Sequence, residues 1–277
     1  MCRVLTVDIG NSNIVVGSWK GRDLEFSGRL QTKRDLEEAE ISNAIKDIFR
    51  KEIACGGEYA CEGAILSSVV PEINDKTLNV LETFAEKKPL LMGPSLKTQV
   101  DISDYQQGAI GMDRIVDLTA AISMYGSPVM VCDLGTCTTI TVAGSYGKVI
   151  GGMICPGIQM SLDAEKERTS QLPGLSAGSA EYLLGKDTPS NMMSGVVAGT
   201  GLMISDLAKR LSEGYVDGIF QDKENYPLKG LKVVITGGLG QFIMPWIKCD
   251  SEVIYEPDLL LKGLLEIYMY NKERTNA

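Results

Sequence analysis

The 277-residue chain contains no histidine. This absence excludes a Ser-His-Asp triad, a zinc site with histidine ligands and an imidazole acting as general base. Any proton transfer must therefore use a carboxylate, lysine, tyrosine, cysteine or water. Carboxylates, together with a metal ion carried by a nucleotide, are sufficient for phosphoryl transfer, which depends mainly on positioning and on charge neutralisation.

Several features that define other protein classes are also missing. No apolar run of about eighteen residues occurs, so we expect no membrane span. The seven cysteines are scattered and form no Cys-x-x-Cys pair, which favours reduced thiols in a cytoplasmic protein. The net charge of −9 argues against nucleic acid or an anionic membrane as a partner, because both attract basic surfaces. The N-terminus runs directly into an apolar segment, so we expect no signal peptide.

Two common nucleotide-binding signatures are absent as well. No G-x-x-x-x-G-K-[ST] sequence occurs, and no G-x-G-x-x-G follows an apolar strand. The chain is nevertheless long enough for one large or two medium domains, and its 44% hydrophobic and 23% charged residues are ordinary for a globular protein. A nucleotide site in this chain must therefore be of another type.

Residues 4–16, VLTVDIGNSNIVV, predict a tight β-hairpin with polar residues at its tip. Gly10 permits a positive φ angle or the close approach of a ligand. The polar groups of residues 11–13 can surround phosphate oxygens, while Asp8 can face a magnesium ion that those oxygens carry. The alternative is an ordinary hairpin whose Asn and Ser side chains only satisfy their own turn.

A second segment repeats this pattern. Residues 129–142, VMVCDLGTCTTITV, again lead an apolar strand into Asp-x-Gly, at Asp133 and Gly135, before another apolar strand. Residues 231–240, LKVVITGGLG, add a buried strand that ends in Gly-Gly, where a backbone can lie flat against a base or ribose. The order strand–Asp-x-Gly twice, then strand–Gly-Gly, resembles the ATP-binding fold shared by acetate and sugar kinases, heat-shock ATPases and actin.

This order predicts an α/β protein with duplicated RNase H-like, actin-like ATPase domains, each with a mixed β-sheet flanked by helices. We expect residues 1–114 to form the N-terminal domain and residues 115–277 the C-terminal domain. Periodicity and turn signals predict a helix from residue 111, further helices at residues 35–51, 71–87, 161–171, 189–211 and 258–270, and strands at residues 23–30, 63–70, 90–92 and 149–154.

The helix predicted at residues 189–211 is rich in small residues, including Ser194, Gly195, Ala198, Gly199 and Gly201. Small residues let the backbone of a helix lie close to a neighbouring element. We expect such a close approach either within the chain or across a dimer.

The segment Gly111-Met112-Asp113-Arg114 opens a strongly periodic helix. An acid and a base at a helix start are often only an N-terminal cap and a surface ion pair. Alternatively, Asp113 accepts a proton and Arg114 binds a substrate carboxylate, since the amides of a helix N-terminus also favour anions. The local sequence leaves both interpretations open.

Seven segments together resemble one family and occur in its order. They are DIGNSN at 8–13, GMDR at 111–114, DLGTCTT at 133–139, GGMICPGIQMSLDA at 151–164, GKDTPSNMMSG at 185–195, TGGLG at 236–240 and EPDLLLKGL at 256–264. The chain resembles the type III pantothenate kinases of bacteria over nearly its whole length. The resemblance implies transfer of the ATP γ-phosphoryl group to the primary hydroxyl of pantothenate, which gives 4'-phosphopantothenate in the first step of coenzyme A synthesis.

The resemblance also implies roles for individual residues. ATP, carried with Mg²⁺, would be bound by Asp8, Ile9, Gly10, Asn11, Ser12, Asn13, Ile14, Val15 and Thr136. Pantothenate would be bound by Tyr105, Gly111, Met112, Asp113, Arg114 and Thr188. Of these, Asp113 would accept the proton, Arg114 would hold the carboxylate, and Thr188 would reach the site of the neighbouring subunit in a homodimer. Asp133 matches a ligand of the K⁺ or NH₄⁺ ion that the family requires.

Two positions depart from the family's pattern. Tyr105 is the nearest match to the tyrosine that precedes G-x-D-R, with a spacing that is one residue shorter. Ile140-Thr141 stands where the family often has an acid just after T-x-T-T.

Two rival functions fit the same fold. One is a kinase of the same superfamily that acts on another small acid or sugar, and the GMDR segment speaks against it. The other is a catalytically impaired, nucleotide-binding regulator. Retention of Asp8, Asp113, Arg114 and Asp133 together favours catalysis over the regulator.

Overall fold

The computed structural model describes residues 3–54, 61–106, 108–214 and 227–272, with only the backbone of residues 51–54. The strands are β1 Arg3–Ile9, β2 Asn13–Lys20, β3 Asp23–Gln31, β4 Gly63–Ser68, β5 Leu90–Leu91, β6 Val129–Leu134, β7 Cys137–Ala143, β8 Val149–Pro156, β9 Lys232–Thr236 and β10 Glu252–Tyr255. The helices are α1 Glu38–Ala54, α2 Asn74–Phe84, α3 Met112–Tyr125, α4 Ile158–Arg168, α5 Thr188–Met193, α6 Gly199–Glu213, α7 Gly240–Ile243 and α8 Leu259–Asn271. Within these ranges, no helix is long and apolar enough to cross a membrane.

The chain divides by its internal packing into two compact units. Unit 1 consists of Met1–Thr98, Gln107–Ala120 and Leu260–Ala277, and unit 2 consists of Gln99–Gln106 and Ala121–Leu259. The domain boundary that we expect after residue 114 falls inside α3. The compact units therefore follow other bounds than the expected domains, most clearly in the C-terminal segment, which groups with unit 1.

Unit 1 is built on a five-stranded mixed sheet in the order β3-β2-β1-β4-β5. β1, β2 and β3 are antiparallel neighbours, whereas β4 runs parallel to β1 and β5 runs parallel to β4. One face of this sheet forms a hydrophobic core with α1 and α2, in which Val7 and Ile9 of β1 pack with Ile41 and Ile45 of α1. Alternation of side chains along β1 places Asp8 on the other face.

That other face of the unit 1 sheet is covered by α8. Gly63 of β4 lies directly against the ring of Tyr268, so any larger side chain at position 63 would displace this helix. α3 lies against α8 in turn, because Gly263 leaves room for the carbonyl group of Val116. These two contacts explain why the C-terminal helix belongs with the N-terminal strands.

Unit 2 repeats the architecture of unit 1. Its sheet has the order β10-β9-β6-β7-β8. When the strands are numbered within unit 2 and read from the β8 edge, this order is 3-2-1-4-5, the same as in unit 1. β6, β7 and β8 are antiparallel neighbours, and β9 runs parallel to β6 and β10. The core on one face includes Ile158 and Leu162 of α4 and Ile204 of α6. Two mixed sheets of the same order confirm the predicted duplicated fold.

The predicted elements are present, with bounds that shift by a few residues. For example, α4 begins at Ile158 rather than at residue 161, and α2 ends at Phe84 rather than at residue 87. The helix expected at residues 189–211 is interrupted by a π-helical segment at Ser194–Ala198, which separates α5 from α6. β10 was not predicted, because a four-residue strand is too short for a clear alternation.

The small residues of α6 include one that makes a close contact within the chain. A Cβ on Gly201 would overlap the Cβ of Trp246 and lie 3.0 Å from its carbonyl carbon. A Cβ on Gly195 would meet no described atom within 4 Å. Packing inside the chain therefore explains Gly201 and leaves Gly195 unexplained.

Candidate functional site

The turn between β1 and β2 holds most of the residues expected at the ATP phosphates. Asp8 is the register partner of Val15, and the amide of Gly10 donates to the carbonyl oxygen of Asn13 at 2.9 Å, which closes the turn. Thr32, just after β3, fixes the turn from outside, because its hydroxyl donates to the carbonyl oxygen of Gly10 at 2.7 Å. The turn is therefore held by one backbone bond and by the Thr32 hydroxyl, both of which act on its main chain.

Exposure separates the residues of this turn into two groups. Asn11 and Ser12 are exposed and Asp8 is half-buried, so their polar atoms are accessible from solvent. Ile9 and Ile14 are buried in the core of unit 1, so only their backbone groups can contact a ligand. The structure thus places the polar members at the tip and the apolar members in the core.

Gly10 is needed for space and not for an unusual backbone angle. It is absent from the glycines with positive φ angles in the described chain. A Cβ at this position would lie 3.2 Å from the carbonyl oxygen of Asn13, which is tighter than ordinary contact. Positive φ therefore does not explain this glycine, and the close contact seen is with the chain's own backbone; the close approach of a ligand stays a prediction.

The second acid-tipped turn joins β6 to β7 in unit 2. Asp133 is the register partner of Thr139, and the amide of Gly135 donates to the carbonyl oxygen of Cys137 at 3.1 Å. Thr136 is exposed at the tip of the turn. The amide of Gly157 donates to the carbonyl oxygen of Thr136 at 3.2 Å. The segment just after β8 is therefore bonded to this turn.

The Gly-Gly segment after β9 lies beside Asp133. Gly237 has a φ angle of +84°, a conformation that favours glycine, and a Cβ there would lie 2.5 Å from Asp133 Oδ1. The amide of Leu239 donates to the carbonyl oxygen of Leu134 at 3.2 Å, which holds the two segments together. The second and third motifs of the sequence therefore meet at one edge of the unit 2 sheet.

The charge of Asp133 also affects its surroundings. Burial raises the pKa of the neighbouring Cys132 thiol well above its usual range, and the carboxylate of Asp133 raises it further. Cys132 is therefore an uncharged core residue at neutral pH. A buried, uncharged cysteine of this kind packs as a small hydrophobic residue.

The GMDR segment forms the first turn of α3 in unit 1. Gly111 is exposed, Asp113 and Arg114 are half-buried, and the amide of Ile115 donates to the carbonyl oxygen of Gly111 at 3.3 Å. The carboxylate of Asp113 folds back so that its Oδ1 occupies the space that a side chain on Gly111 would need. The glycine therefore leaves room for the Asp113 carboxylate next to the partial positive charge of the helix N-terminus.

Tyr105 is half-buried and lies in the Gln99–Gln106 segment of unit 2. This segment is tied to the β7–β8 connection, because the amide of Asp101 donates to the carbonyl oxygen of Gly147 at 2.9 Å and Lys148 pairs with Asp104 at 2.8 Å. The amide of Ser103 donates to the Asp101 carboxylate and lowers the pKa of Asp101. The tyrosine is thus carried by an ordered loop.

Thr188 is exposed at the first position of α5. Asp187 caps this helix by accepting from the backbone amide of Ser190 at 2.9 Å, while the amide of Asp187 donates to the Ser190 hydroxyl at 3.1 Å. The hydroxyl of Ser190 also donates to the Asp187 carboxylate, and these bonds lower the pKa of Asp187. This reciprocal cap fixes the backbone at Thr188.

The described residues contain no cluster of three or more histidine, cysteine or acidic side chains arranged to hold a metal ion. A divalent ion can instead take most of its ligands from a bound nucleotide and from water. Mg²⁺ commonly does so, because it binds one or two carboxylates together with substrate phosphates and water. A single half-buried carboxylate such as Asp8 is compatible with this mode.

Sequence reasoning missed several residues that shape these turns. Gly157 and Thr32 support the two turns through backbone bonds, and the sequence offers only Pro156-Gly157 after an apolar strand as a signal for the first. Ser67, the register partner of Asp8 on β4, was read only as part of an apolar strand.

Comparison with known proteins gives a family for this arrangement. A family model described as type III pantothenate kinase matches residues 4–210. A type III pantothenate kinase from Geobacillus thermodenitrificans is 33% identical over 274 residues, which cover 98% of this chain and 99% of that protein. One from Agathobacter rectalis is 32% identical over 265 residues, which cover 96% of each.

Solved structures of low sequence identity show the same fold. A protein from Campylobacter jejuni described as a Baf family transcriptional activator has a TM-score of 0.59 at 19% identity, and the match covers 99% of this chain and 100% of that one. Component A of (R)-2-hydroxyglutaryl-CoA dehydratase from Acidaminococcus fermentans has a TM-score of 0.53 at 12% identity, with 100% of both chains covered. At these identities the likeness concerns the fold alone.

Proposed function

The chain belongs to the type III pantothenate kinase family, and from this premise we propose how its residues carry out the family's reaction. The protein is an ATP-dependent kinase that phosphorylates pantothenate in coenzyme A biosynthesis. The hydroxyl oxygen of pantothenate bonds to the γ-phosphorus of ATP, the bond from that phosphorus to the β–γ bridging oxygen breaks, and ADP leaves. The hydroxyl proton passes to a carboxylate of the protein.

The β1–β2 turn contacts the phosphates in this proposal. The exposed side chains of Asn11 and Ser12 and the turn amides donate to phosphate oxygens, while Ile9, Ile14 and Val15 hold the turn on the sheet. Asp8 would face the magnesium ion that the phosphates carry, and Thr136 would contact ATP from the second turn. The observation that carries this assignment is the repetition of an acid-tipped turn after the first strand of both sheets.

Asp113 is the proton acceptor for the pantothenate hydroxyl. A carboxylate is far too weak a base to remove this proton beforehand, so it orients the hydroxyl and takes the proton late, as the bond to phosphorus forms. The position of its carboxylate over Gly111 supports this role, because the carboxylate lies at the N-terminus of α3, where the pantothenate carboxylate would also be bound by Arg114. Arg114 binds the pantothenate carboxylate, and Met112 and Tyr105 complete the acceptor site.

Two cations act beside the phosphates in this proposal. Mg²⁺ bound to ATP supplies charge neutralisation for the β- and γ-phosphates. Asp133, with its carboxylate against the backbone of Gly237, holds a K⁺ or NH₄⁺ ion. Asp133 Oδ1 and the carbonyl oxygen of Leu134 both lie close to the position that a Cβ on Gly237 would take, and oxygen donors suit such a hard cation.

We further infer that the protein is a homodimer in which Thr188 reaches the neighbouring subunit's site. Large apolar side chains stand exposed just before Thr188, namely Tyr182, Leu183 and, at 82% exposure, Leu184. Exposed apolar clusters of this kind mark interaction surfaces. Gly195, which has open space around it in the described chain, is consistent with the close approach of a second copy.

The expected domains at residues 1–114 and 115–277 remain our proposal for the duplicated halves, as distinct from the compact units. We also propose a cytoplasmic location, on the basis of the scattered cysteines, which form no Cys-x-x-Cys pair, and the metabolic role of the family. The cysteines that the structure describes, which include Cys61 and Cys132, form no disulfide.

The test of the proposed function is an assay of ADP release by the purified protein with ATP and pantothenate, with and without K⁺. We expect turnover that requires both substrates and is stimulated by K⁺ or NH₄⁺ but not by Na⁺. In Asp133→Asn, the concentration of K⁺ needed for half-maximal turnover should rise at least tenfold. Activity with a sugar or acetate but not with pantothenate would contradict the proposal, and K⁺-independent turnover would remove the cation assignment alone.

A further inference from the structure

The two sheets carry the same pair of residue types in register at their carboxyl ends. In unit 1, Asp8 of β1 is the register partner of Ser67 of β4. In unit 2, Asp133 of β6 is the register partner of Thr236 of β9. Each pair joins an acid near the end of the first strand to a buried hydroxyl residue on the neighbouring parallel strand. Because the pair recurs at equivalent positions of a duplicated fold, the hydroxyl is a candidate member of the site.

Ser67 lies on the same face of the unit 1 sheet as Asp8. Their chain neighbours Val7, Ile9 and Leu66 all point into the core with α1 and α2. Side chains alternate along a strand, so Asp8 and Ser67 both point to the opposite face. Neighbouring strands are about 4.8 Å apart, which brings the side chains of a registered pair within reach of one hydrogen bond after rotation about χ1.

The Ser67 hydroxyl is buried without a hydrogen bond. Ser67 is 0% exposed, and its Oγ has no hydrogen-bond partner among the residues that the structure describes. Buried hydroxyls normally make a hydrogen bond, because burying one without a partner destabilises the folded protein. Each exception therefore calls for an explanation. Thr6, the other polar residue of β1 on this face, already accepts a hydrogen bond from Trp19 Nε1 at 2.8 Å. Asp8 is therefore the acceptor on β1 that Ser67 is placed to use.

We propose that Ser67 is a positioning residue of the ATP site, whose hydroxyl donates a hydrogen bond to the Asp8 carboxylate when Mg·ATP binds. A carboxylate has about four lone-pair positions, so Asp8 can accept from Ser67 with one oxygen and face the metal with the other. The bond restricts the carboxylate to one orientation. This orientation is the one that binds Mg·ATP, so the bond raises the affinity for Mg·ATP. The inference rests on the proposed function only in that the protein binds Mg·ATP. It does not depend on which molecule accepts the phosphoryl group.

The first test replaces Ser67 with alanine and measures Mg·ATP binding by calorimetry, steady-state kinetics and Tm. We expect the Kd for Mg·ATP and the KM for ATP to rise roughly ten- to a hundredfold, as for the loss of a hydrogen bond to a charged group. The KM for pantothenate should not change, and Tm should stay equal or rise, because an unmet buried hydroxyl is removed. Ser67→Cys keeps the shape of the side chain with a weaker donor. Its Kd for Mg·ATP should lie between those of the wild type and Ser67→Ala.

Thr77→Val is the matched control. Thr77 is as buried as Ser67, but its hydroxyl donates to the carbonyl oxygen of Ile73 at 2.8 Å inside α2. This variant should lower Tm and leave Mg·ATP binding unchanged. The opposite pattern in Ser67→Ala distinguishes a positioning role from a structural one, and a lowered Tm with normal Mg·ATP binding in Ser67→Ala would overturn the inference.

A double-mutant cycle tests whether Ser67 acts through Asp8. In an Asp8→Asn background, Ser67→Ala should cause little further loss of Mg·ATP affinity, because the charged acceptor is already gone. Losses that add fully in the double variant would contradict the inference. A wild-type protein that binds Mg·ATP but does not phosphorylate pantothenate would refute the proposed function, while the binding measurements would still decide the role of Ser67.

Discussion

Three aspartates occupy three different local settings, and the settings distinguish their roles. Asp8 follows an apolar strand and stands beside an orphan buried hydroxyl on the next strand. Asp133 holds the same strand position but lies against the backbone of a glycine segment. Asp113 is in the first turn of a helix, beside an arginine. Only Asp113 combines an accessible carboxylate, an adjacent cation and a helix N-terminus, which together suit the acceptor end of a phosphoryl transfer.

Replacement of Asp113 by asparagine should therefore lower kcat by roughly a hundredfold to ten thousandfold, the usual contribution of a general base. The Kd for Mg·ATP should change less than threefold, because the interaction strengthens only in the transition state. Stopped-flow or coupled assays of ADP release, together with calorimetry, would measure both quantities.

The control for this substitution is Asp75→Asn, which alters another acid in the first turn of a helix of unit 1, exposed on α2. It should leave kcat within about twofold of the wild type, as expected for a surface position away from the site. Full turnover in Asp113→Asn would show that another group accepts the proton, even with the family assignment correct.

The acids of the candidate site follow local patterns in the sequence, whereas the residues packed against them do not. Asp8 and Asp133 follow apolar runs and precede glycine, which is a local pattern. The steric role of Gly237 depends on a register between β6 and β9, which are separated by about a hundred residues along the chain. Ser67 likewise depends on the pairing of β1 with β4. Such long-range register is set by packing and is not visible in periodicity.

At the scale of elements, the start of α5 is fixed by a charge as well as by hydrogen bonds. The hydrogen bonds from Ser190 lower the pKa of Asp187 below its ordinary value of 3.8. A depressed folded-state pKa means that the ionised group contributes stability above the ordinary value, and this contribution is lost as pH falls through the lower folded value. Asp187→Ala should therefore lower Tm at pH 7, and the difference from wild type should shrink as the pH falls below about 4.

Asp187→Asn provides the control, because asparagine is a good N-cap without a titratable charge. Asp187→Asn should recover most of the Tm at pH 7. Its Tm difference from Asp187→Ala should not shrink as the pH falls, because asparagine does not titrate. Calorimetric scans of the three proteins between about pH 3 and pH 7 would measure both effects. A Tm difference for Asp187→Ala that grows toward low pH would contradict the cap.

The contact between α6 and Trp246 gives a second prediction at this scale. Gly201→Ala places a methyl group where the Cβ of Trp246 already lies, so the helix must shift. Overpacking of this kind costs about 1–3 kcal/mol, which would appear as a lower midpoint in urea unfolding. Gly199→Ala is the matched control on the same helix, because the nearest atom to its Cβ is 4.0 Å away. That control should be neutral or slightly stabilising, since alanine has the higher helix propensity.

At the scale of the whole molecule, the duplicated fold could be predicted because its signals are local and repeated. The two acid-tipped turns identify the first strand of each sheet. The Gly-Gly segment identifies the fourth strand of the unit 2 sheet. The grouping of Leu260–Ala277 with unit 1 could not be predicted in this way. It depends on glycines such as Gly63 and Gly263, whose partners Tyr268 and Val116 are distant in sequence. Periodicity identifies a helix at the C-terminus but not the sheet on which it packs.

The composite site proposed for the homodimer can be tested by mixing two defective variants. Asp113→Asn removes the proton acceptor, and Thr188→Ala removes the contact that the neighbouring subunit would supply. In a mixed dimer, one site then combines both defects, and the other combines Asp113 of one subunit with Thr188 of its partner. Exchange of subunits between equal amounts of the two variants should form about half mixed dimers and recover roughly a quarter of wild-type activity.

Recovery above the mean of the separate variants would arise only if the two residues of one site come from different chains. If Thr188 instead serves the site of its own chain, every site in the mixture carries one defect, and the activity stays at the mean of the parents. Sedimentation of each variant must show the same dimer as the wild type, so that lost activity is not lost assembly. A wild-type protein that sediments as a monomer at assay concentration would exclude the shared site altogether, because Thr188 would then have no second chain to reach.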